Sequence, residues 1–451
     1  MTTGKTDTIA AIATPRGNAG VGIIRLSGPA AGVIQRQLCA KKLVPRKATL
    51  VKIYDQQQRL IDQVLLILFP APNSFTGEDV LELQGHGGVV VLDMLLEHIL
   101  SLGCRQARAG EFLERAFLND KIDLTQAEAI ADLIEGQTRS AVRGAMRSLQ
   151  GDFSKEIHHL LADLIHLRML AEAYLDFPDE EIVEVPVKDL EQRLLSVREK
   201  TAHLLDSAHK GSLLRDGFHL VLAGRPNTGK SSLLNLLAKK ETAIVSEQAG
   251  TTRDIIRDRI DLDGILIDVS DTAGLRQTSD TIESEGIRRA KTELENADRV
   301  LLIIDEADYS EASRNELLSY IEQDIPVTII RNKIDLQNIG PELKNTDQGV
   351  EILLSVKSGA GLALLYRHLK DITSSDTQNE GVYTARRRHI DALQRAKISL
   401  QNATVQLSDP VQLELFAEDC RLAQNSLNEI TGEFGSEDLL GKIFSSFCIG
   451  K

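Results

Sequence analysis

At 451 residues the chain is long enough for about three domains. It is 42% hydrophobic and 26% charged, without a low-complexity tract, and this is the make-up of a soluble globular protein. The net charge of -14, the absence of Trp and an aromatic content of 4% oppose non-specific binding to nucleic acid and leave few base-stacking platforms. Neither DNA nor a membrane is an expected partner, and a protein of this charge acting on RNA needs a basic partner or a local patch. The N-terminus lacks the apolar core of a signal peptide, and no apolar run reaches the ~18 residues of a membrane span. A cytoplasmic protein is expected. Cys39, Cys104, Cys420 and Cys448 are widely spaced with no C-x-x-C pair, which predicts reduced thiols and gives no support for a zinc site.

Residues 1–119 alternate strand-like runs ("GVGIIRLSG", "QVLLILFP", "DVLELQGHGG") with the helical "VVVLDMLLEHILSLG", an α+β pattern. "GNAGVG", Gly17 to Gly22, has no helix after it and reads as a tight turn. Residues 120–216 carry apolar positions at three- and four-residue spacing through "LTQAEAIADLIEGQTRSAVRGAMRSLQGDF" and beyond, which predicts long packed helices. From residue 217 to 376 the rhythm changes. "FHLVLAG", "ILIDVSD", "RVLLIID", "PVTIIRNK" and "VEILLSV" are strands separated by helical segments, as in a parallel sheet covered on both faces. A polar stretch, "SSDTQNEG", leads into residues 377–451, which are helical again. The expected architecture is an α/β P-loop domain inserted into an all-α helical domain and preceded by an α+β domain.

"GRPNTGKS" is Gly224-x-x-x-x-Gly229-Lys230-Ser231, placed between a strand and a helix as a P-loop requires. Backbone N–H groups of the loop, including those of Asn227, Thr228, Gly229 and Ser232, and the helix N-terminus would hold phosphates. Lys230 would reach the β- and γ-phosphates, and Ser231 would ligate Mg²⁺. Asp271-Thr272-Ala273-Gly274 closes a later strand. Its aspartate would approach Mg²⁺ through water, and the Gly274 N–H would meet the γ-phosphate. Between these lies Ser246-Glu247-Gln248-Ala249-Gly250-Thr251-Thr252, in which Thr252 offers a second hydroxyl to Mg²⁺. Asn332-Lys333-x-Asp335 ends another strand. A carboxylate there accepts from guanine N1–H and its exocyclic amine, a donor pair that adenine lacks. Ser355-Val356-Lys357 would flank the base. Four such elements in order define a GTPase. One position departs from the pattern: Leu275 stands where Ras-like proteins carry the glutamine that orients water.

The P-loop "GRPNTGKSSLLN", "AGTTRD", "DTAGLR", "SFTGEDVLELQGHGG", "RAFLNDKIDLTQAEAIADLI" and the terminal "FCIGK" together resemble the bacterial tRNA modification GTPases of the MnmE (TrmE) family, over nearly the full chain. The resemblance implies a homodimer working with the FAD-dependent MnmG to install a carboxymethylaminomethyl or aminomethyl group at C5 of the wobble uridine of certain tRNAs. It implies that the N-terminal domain binds 5-formyltetrahydrofolate or a related tetrahydrofolate, with Arg25, Glu82, Lys121 and Lys451 at the contacting positions. It also implies an answer to Leu275. K⁺, held by Asn227, Ser246, Gln248 and Thr251, stands near the phosphates where an arginine finger's charge would go, and Glu283 orients the water. Read without the resemblance, Glu283 is a solvated residue at a helix start, Arg25 and Glu82 are strand-surface charges, and Cys448 is a small hydrophobe; with it, Cys448 is a candidate nucleophile. "RRRH", Arg386 to His389, fits tRNA phosphates or nearby carboxylates equally. Two other readings stay open: a GTPase switch for ribosome assembly, which shares the P-loop and "AGTTRD" but would add a basic RNA-binding domain, and a GTP-binding scaffold without turnover.

Overall fold

The computed structural model describes residues 7–39, 41–176, 187–240, 257–262, 264–271, 294, 297–321, 325–346, 349–373, 383–407, 412–432, 437–445, 447 and 450. The chain forms two compact units, residues 1–131, 149–198 and 395–451 in the first and 132–148 and 199–394 in the second.

The first unit opens with β1 (Ile9–Ile12), β2 (Ala19–Ser27), α1 (Ala31–Leu38), β3 (Thr49–Tyr54), β4 (Leu60–Phe69), β5 (Val80–Gly87), α2 (Val89–Ser101), β6 (Arg105–Gln106) and α3 (Glu111–Leu118). The sheet runs β3-β4-β5-β2-β1-β6, antiparallel except for the β1–β6 pair. Alternation sorts its two faces. Ala10, Ile24, Leu26, Leu66 and Leu83 pack with Leu92, Leu95, Leu96 and Ile99 of α2, a spacing that places all four on one helix face. Ile9 and Ala11 turn the other way, onto Phe112 of α3. The expected turn at Gly17–Gly22 is not there: Ala19 to Gly22 belong to β2, with an irregular register between Ala19 and Gly22. Small residues permit the close strand approach. A Cβ on Gly22 would meet Leu92 at 2.6 Å, and one on Gly87 would meet the carbonyls of Ala19 and Val21 at 2.7 Å.

Helices follow. The helical stretch after residue 123 forms α4 (Leu124–Glu135), α5 (Arg139–Leu149) and α6 (Asp152–Asp176). The first break is made by Gly136 and by Thr138, whose Oγ1 accepts from Ala141 N at 3.1 Å in the manner of an N-cap; the second falls at Gly151, which has φ +82°. Then come α7 (Val187–Asp216) and, after the α/β segment, α11 (Arg387–Gln406), α12 (Leu413–Thr431) and α13 (Glu437–Ser445). Within the first unit α6 packs along α12, and Ile157, Leu160, Leu164 and Leu167 of the one and Phe416, Cys420, Ala423 and Leu427 of the other are buried. Residues of α13 and the chain end join α3 and α4, with Ile443, Phe444 and Phe447 against Leu113, Leu124 and Ala127.

The second unit holds β7 (Phe218–Ala223), α8 (Lys230–Lys240), β8 (Arg257–Leu262), β9 (Ile265–Asp271), β10 (Arg299–Asp305), α9 (Glu311–Leu318), β11 (Val327–Asn332), β12 (Glu342–Thr346), β13 (Gly349–Leu353) and α10 (Leu362–Thr373). Strand order is β12-β13-β11-β10-β7-β9-β8. The five inner strands are parallel, and their runs are buried on both faces: Leu220, Leu222, Leu301 and Ile303 in one core, Val221, Ala223, Val300 and Leu302 in the other. The sheet is not wholly parallel. β8 and β12 pair antiparallel at its two edges through short hairpins, and their polar sequences, "RDRIDL" and "ELKNT", lack the apolar run that marks the inner strands.

Candidate nucleotide site

The P-loop leaves the carboxyl end of β7, where ligands collect in an open α/β sheet. Its path needs unusual backbone. Asn227 has φ +63°, and Asn tolerates that region better than most residues. Gly224 has φ +145° and would place a Cβ 2.2 Å from the Ile303 carbonyl oxygen; Gly229, at φ +103°, would place one 2.3 Å from Asn332 Nδ2. The loop then runs into α8 at Lys230, so the first amides of a helix face the cradle. The buried Lys230 donates from Nζ to the carbonyls of Gly224 and Arg225, both at 3.0 Å. It therefore lies within the loop that is to hold phosphate.

The motifs found far apart in sequence are joined by one side chain. Asn332 is 2% exposed. Its Nδ2 donates to Thr228 O at 2.7 Å, and its Oδ1 accepts from Val356 N at 3.0 Å. The amide thus ties the P-loop to the 355–357 loop and leaves neither of its own ends unsatisfied. Lys333, in left-handed backbone at φ +66°, gives its ammonium to Asp305 Oδ2 at 2.6 Å. Ser355 is fully buried and caps its own turn, accepting from Ser358 N at 3.2 Å. A cavity of about 820 Å³ lies between these loops, lined by Gly229, Ser232, Asn332, Lys333, Asp335, Val356 and Lys357 together with Asn235, Leu236, Leu336 and Leu362. That is a volume for a nucleotide-sized ligand.

The last four were absent from the sequence reading. Asn235 and Leu236 stand three and four residues beyond Ser232, so helical periodicity would have found them. Leu336 and Leu362, like the Asp305 partner of Lys333, come from tertiary structure alone.

For Mg²⁺, Ser231 lies in the first turn of α8, and Asp271 closes β9 at the register position of Leu222, next to the P-loop. An alcohol and a carboxylate are the kind of hard oxygen donors this ion takes alongside phosphate oxygens. Among the described residues no group of three His, Cys, Asp or Glu could hold a metal unaided. Ser246, Glu247, Gln248, Ala249, Gly250, Thr251, Thr252, Thr272, Ala273, Gly274, Leu275, Glu283, Cys448 and Lys451 lie outside the described residues. Of the expected K⁺ ligands only Asn227 is described, and its side chain is exposed on the loop.

The N-terminal candidates sit in the first unit. Arg25 and Glu82 face each other across β2 and β5, Nε to Oε1 at 3.0 Å, with side chains 23% and 14% exposed. They are not free surface charges. The Arg25 guanidinium lies 5.3 Å from the centre of the Phe75 ring and 5.8 Å from that of Phe112, cation–π distances that hold a charge in an apolar wall. The loop that carries Phe75 reaches Lys121: a Cβ on Gly77 would lie 3.3 Å from the Lys121 side chain, and Asn119 Nδ2 donates to Thr76 O at 2.7 Å. Gly450 packs so closely that a Cβ would meet Ile12 O at 2.2 Å. Phe447 and Gly450 are both buried in this unit. Burial pushes the Cys104 thiol up to about 11 and that of Cys420 up to about 12, so both stay protonated and inert at neutral pH. Arg386 of the "RRRH" run gives its guanidinium to Asp132, at 2.7 Å, and Arg387 pairs with Asp391, at 3.3 Å, which favours the carboxylate reading for both.

A P-loop at the carboxyl end of a parallel strand, joined through Asn332 to a nucleotide-sized cavity bearing Asp335, defines a P-loop GTPase. Comparison with known proteins carries the assignment further. The family model of the MnmE helical domain matches residues 124–448, and that of the N-terminus of the GTP-binding protein TrmE matches residues 8–121. The tRNA modification GTPase MnmE of Pseudomonas fluorescens (strain Pf0-1) is 52% identical over 451 residues, 99% of each chain. That of Coxiella burnetii (strain Dugway 5J108-111) is 51% identical over 448 residues, again 99% of each. The chain belongs to the MnmE family of tRNA modification GTPases. Among solved structures, the G domain of the Thermotoga maritima FeoB iron transporter is 25% identical, with 34% of this chain and 97% of that one covered, at a TM-score of 0.27, too low to bear on the argument.

Proposed function

We propose that the protein is a K⁺-dependent GTPase whose hydrolysis cycle drives G-domain pairing in a homodimer, and that with the FAD-dependent MnmG it installs a carboxymethylaminomethyl or aminomethyl group at C5 of the wobble uridine of certain tRNAs. The observation that carries the reading is the Asn332 tie, which assembles P-loop and base cavity into one cradle. The full-length likeness to tRNA modification GTPases supplies the tRNA.

In this reading the P-loop amides and Lys230 hold the phosphates, Lys230 exchanging its carbonyl partners for phosphate oxygens. Asp335 selects guanine. Ser231, Thr252 and Asp271 hold Mg²⁺, which neutralises charge on the phosphates. Asn227, with Ser246, Gln248 and Thr251, holds K⁺, whose charge stabilises the negative charge that develops at the β–γ bridge. Glu283 orients the attacking water in place of a residue that Leu275 cannot be. In the first unit Arg25, Glu82, Lys121 and Lys451 bind the tetrahydrofolate donor. Arg25 suits its carboxylates, and Glu82 suits the N–H edge of its pterin. Cys448 serves there as nucleophile or positioning group. With a net charge of -14, tRNA is met through a basic partner or a local patch.

The experiment is GTP turnover in KCl and in NaCl at matched ionic strength. Strong stimulation by K⁺ is expected. Equal turnover in both salts would remove the ion from the mechanism and call for an internal side chain in its place.

A further inference from the structure

The β8–β9 hairpin joins the two segments that the nucleotide reading relies on. β8 follows Thr251-Thr252 within a few residues, and β9 ends on Asp271. Its turn, at Gly264, lies at the other end of the strands, about 20 Å away at ~3.3 Å per residue. The turn rests on the segment between α4 and α5. Thr138 Oγ1 donates to Gly264 O at 2.9 Å while accepting from Ala141 N. Gly264 has φ +92°, and a Cβ on it would come 2.2 Å from Ser140 Oγ, so the turn lies directly on the start of α5.

That resting surface is itself fixed. Asp132, near the end of α4 and 5% exposed at its side chain, accepts with one oxygen from both Arg215 Nε, at 2.8 Å, and Arg386 Nη2, at 2.7 Å. Arg215 stands two residues before Gly217, where the chain passes into β7, and Arg386 stands just before α11, where it has left the α/β fold. At the other end of α5, Ser148 Oγ is 3.1 Å from both Thr384 O and Thr384 Oγ1. The surface is therefore pinned by an ion triad centred on the buried Asp132 and by the Ser148–Thr384 contact. Among the described residues, the hairpin turn is held on it by the Thr138–Gly264 hydrogen bond and van der Waals contact. A cavity of about 200 Å³ beside the turn, lined in part by Thr138, Arg215, Arg259 and Leu266, leaves it room to shift.

We propose that the Thr138–Gly264 contact is a coupling joint: the nucleotide state at the strand ends of the β8–β9 hairpin sets the seating of its turn on the fixed 132–148 segment, and so reaches the helices. The proposal rests on the nucleotide reading above. Coupling is reciprocal. If nucleotide biases the joint, loosening the joint must bias nucleotide affinity by the same factor.

The test uses the full chain and two variants outside the nucleotide site. Thr138→Val keeps the shape and removes both hydrogen bonds of the hydroxyl, to Gly264 O and from Ala141 N; Gly264→Ala leaves that cap in place and drives the turn off Ser140. Dissociation constants are measured for GDP and for a non-hydrolysable GTP analogue, and amide exchange is followed over residues 138–142 in both states. The ratio of the two constants is expected to change about fivefold in each variant, and the nucleotide-dependent difference in exchange, present in the native chain, is expected to vanish. Ratios within twofold of native with an unchanged exchange difference would overturn the coupling while leaving nucleotide binding intact. Absence of binding in the native chain would overturn both readings.

Discussion

The nucleotide cradle of the second unit and the Arg25–Glu82 pair of the first are built in opposite ways. The cradle is local and made largely of backbone. Eight consecutive residues, two of them glycines that any Cβ would obstruct, turn from β7 into α8 and present amides to a ligand. The N-terminal pair is made of side chains from segments 57 residues apart, walled by Phe75 and Phe112 and already satisfying each other. A site of the first kind is held ready by chain geometry. One of the second kind must exchange an internal ion pair for its ligand.

The sharpest way to break this contrast is Lys230→Ala. It leaves the backbone cradle in place and removes the ammonium that reaches the loop carbonyls. A fall in GTP turnover of about 100-fold or more is expected, read as phosphate release, with the fold kept by circular dichroism. Turnover near native would show that the amides suffice.

The next concerns the first unit's charge network. Glu111 is 4% exposed at its side chain and takes Arg105 at 2.5 Å and Arg115 at 3.2 Å. Burial works against its ionisation, but these guanidinium groups outweigh burial and leave its carboxyl below the usual range; the Arg105 hydrogen bond likewise lowers Asp7. A depressed carboxylate stabilises the fold above its unfolded pKa of about 4, and that contribution is lost as pH falls through the folded value. The first unit should therefore weaken below about pH 4. Glu111→Gln should flatten that loss, and Glu111→Ala should cost about 3 kcal/mol at pH 7 because it leaves arginines uncompensated. Urea titrations from pH 7 to 3 check both, and an unchanged pH profile in Glu111→Gln would rule the residue out as the source.

The smallest expected effect is at Arg25. Arg25→Met keeps bulk against Phe75 and Phe112 and removes the charge. Affinity for 5-formyltetrahydrofolate should fall about tenfold by calorimetry, with GTP turnover unchanged. Native folate affinity in the variant would remove Arg25 from that site.

The same contrast explains what could be read in the sequence. The inner strands of the second unit are continuous apolar runs because both faces are buried, and the P-loop lies where the run of β7 passes into α8. β8 and β12 escaped because edge strands carry charge and face water on one side. The helices after residue 123 were legible from their apolar spacing but their boundaries were not, since Gly136 and Gly151 break the chain by backbone geometry and Thr138 by a cap, and none of them disturbs that spacing. In the nucleotide site, Asn332 was named for its motif. Its part in joining two loops needed the fold, as did Asp305 beneath Lys333. Arg25 and Glu82 carry no local signature at all: only register brings them together, and family resemblance stood in for it.

Asp335→Asn asks whether the cavity selects guanine. An asparagine offers an amide N–H where the carboxylate accepted from the exocyclic amine, so it matches the carbonyl that xanthine carries at that position. Turnover should fall about 100-fold with GTP and rise correspondingly with xanthosine triphosphate. GTP turnover unchanged in this variant would contradict the assignment of the cavity as a guanine site and, with it, the reading of the chain's chemistry.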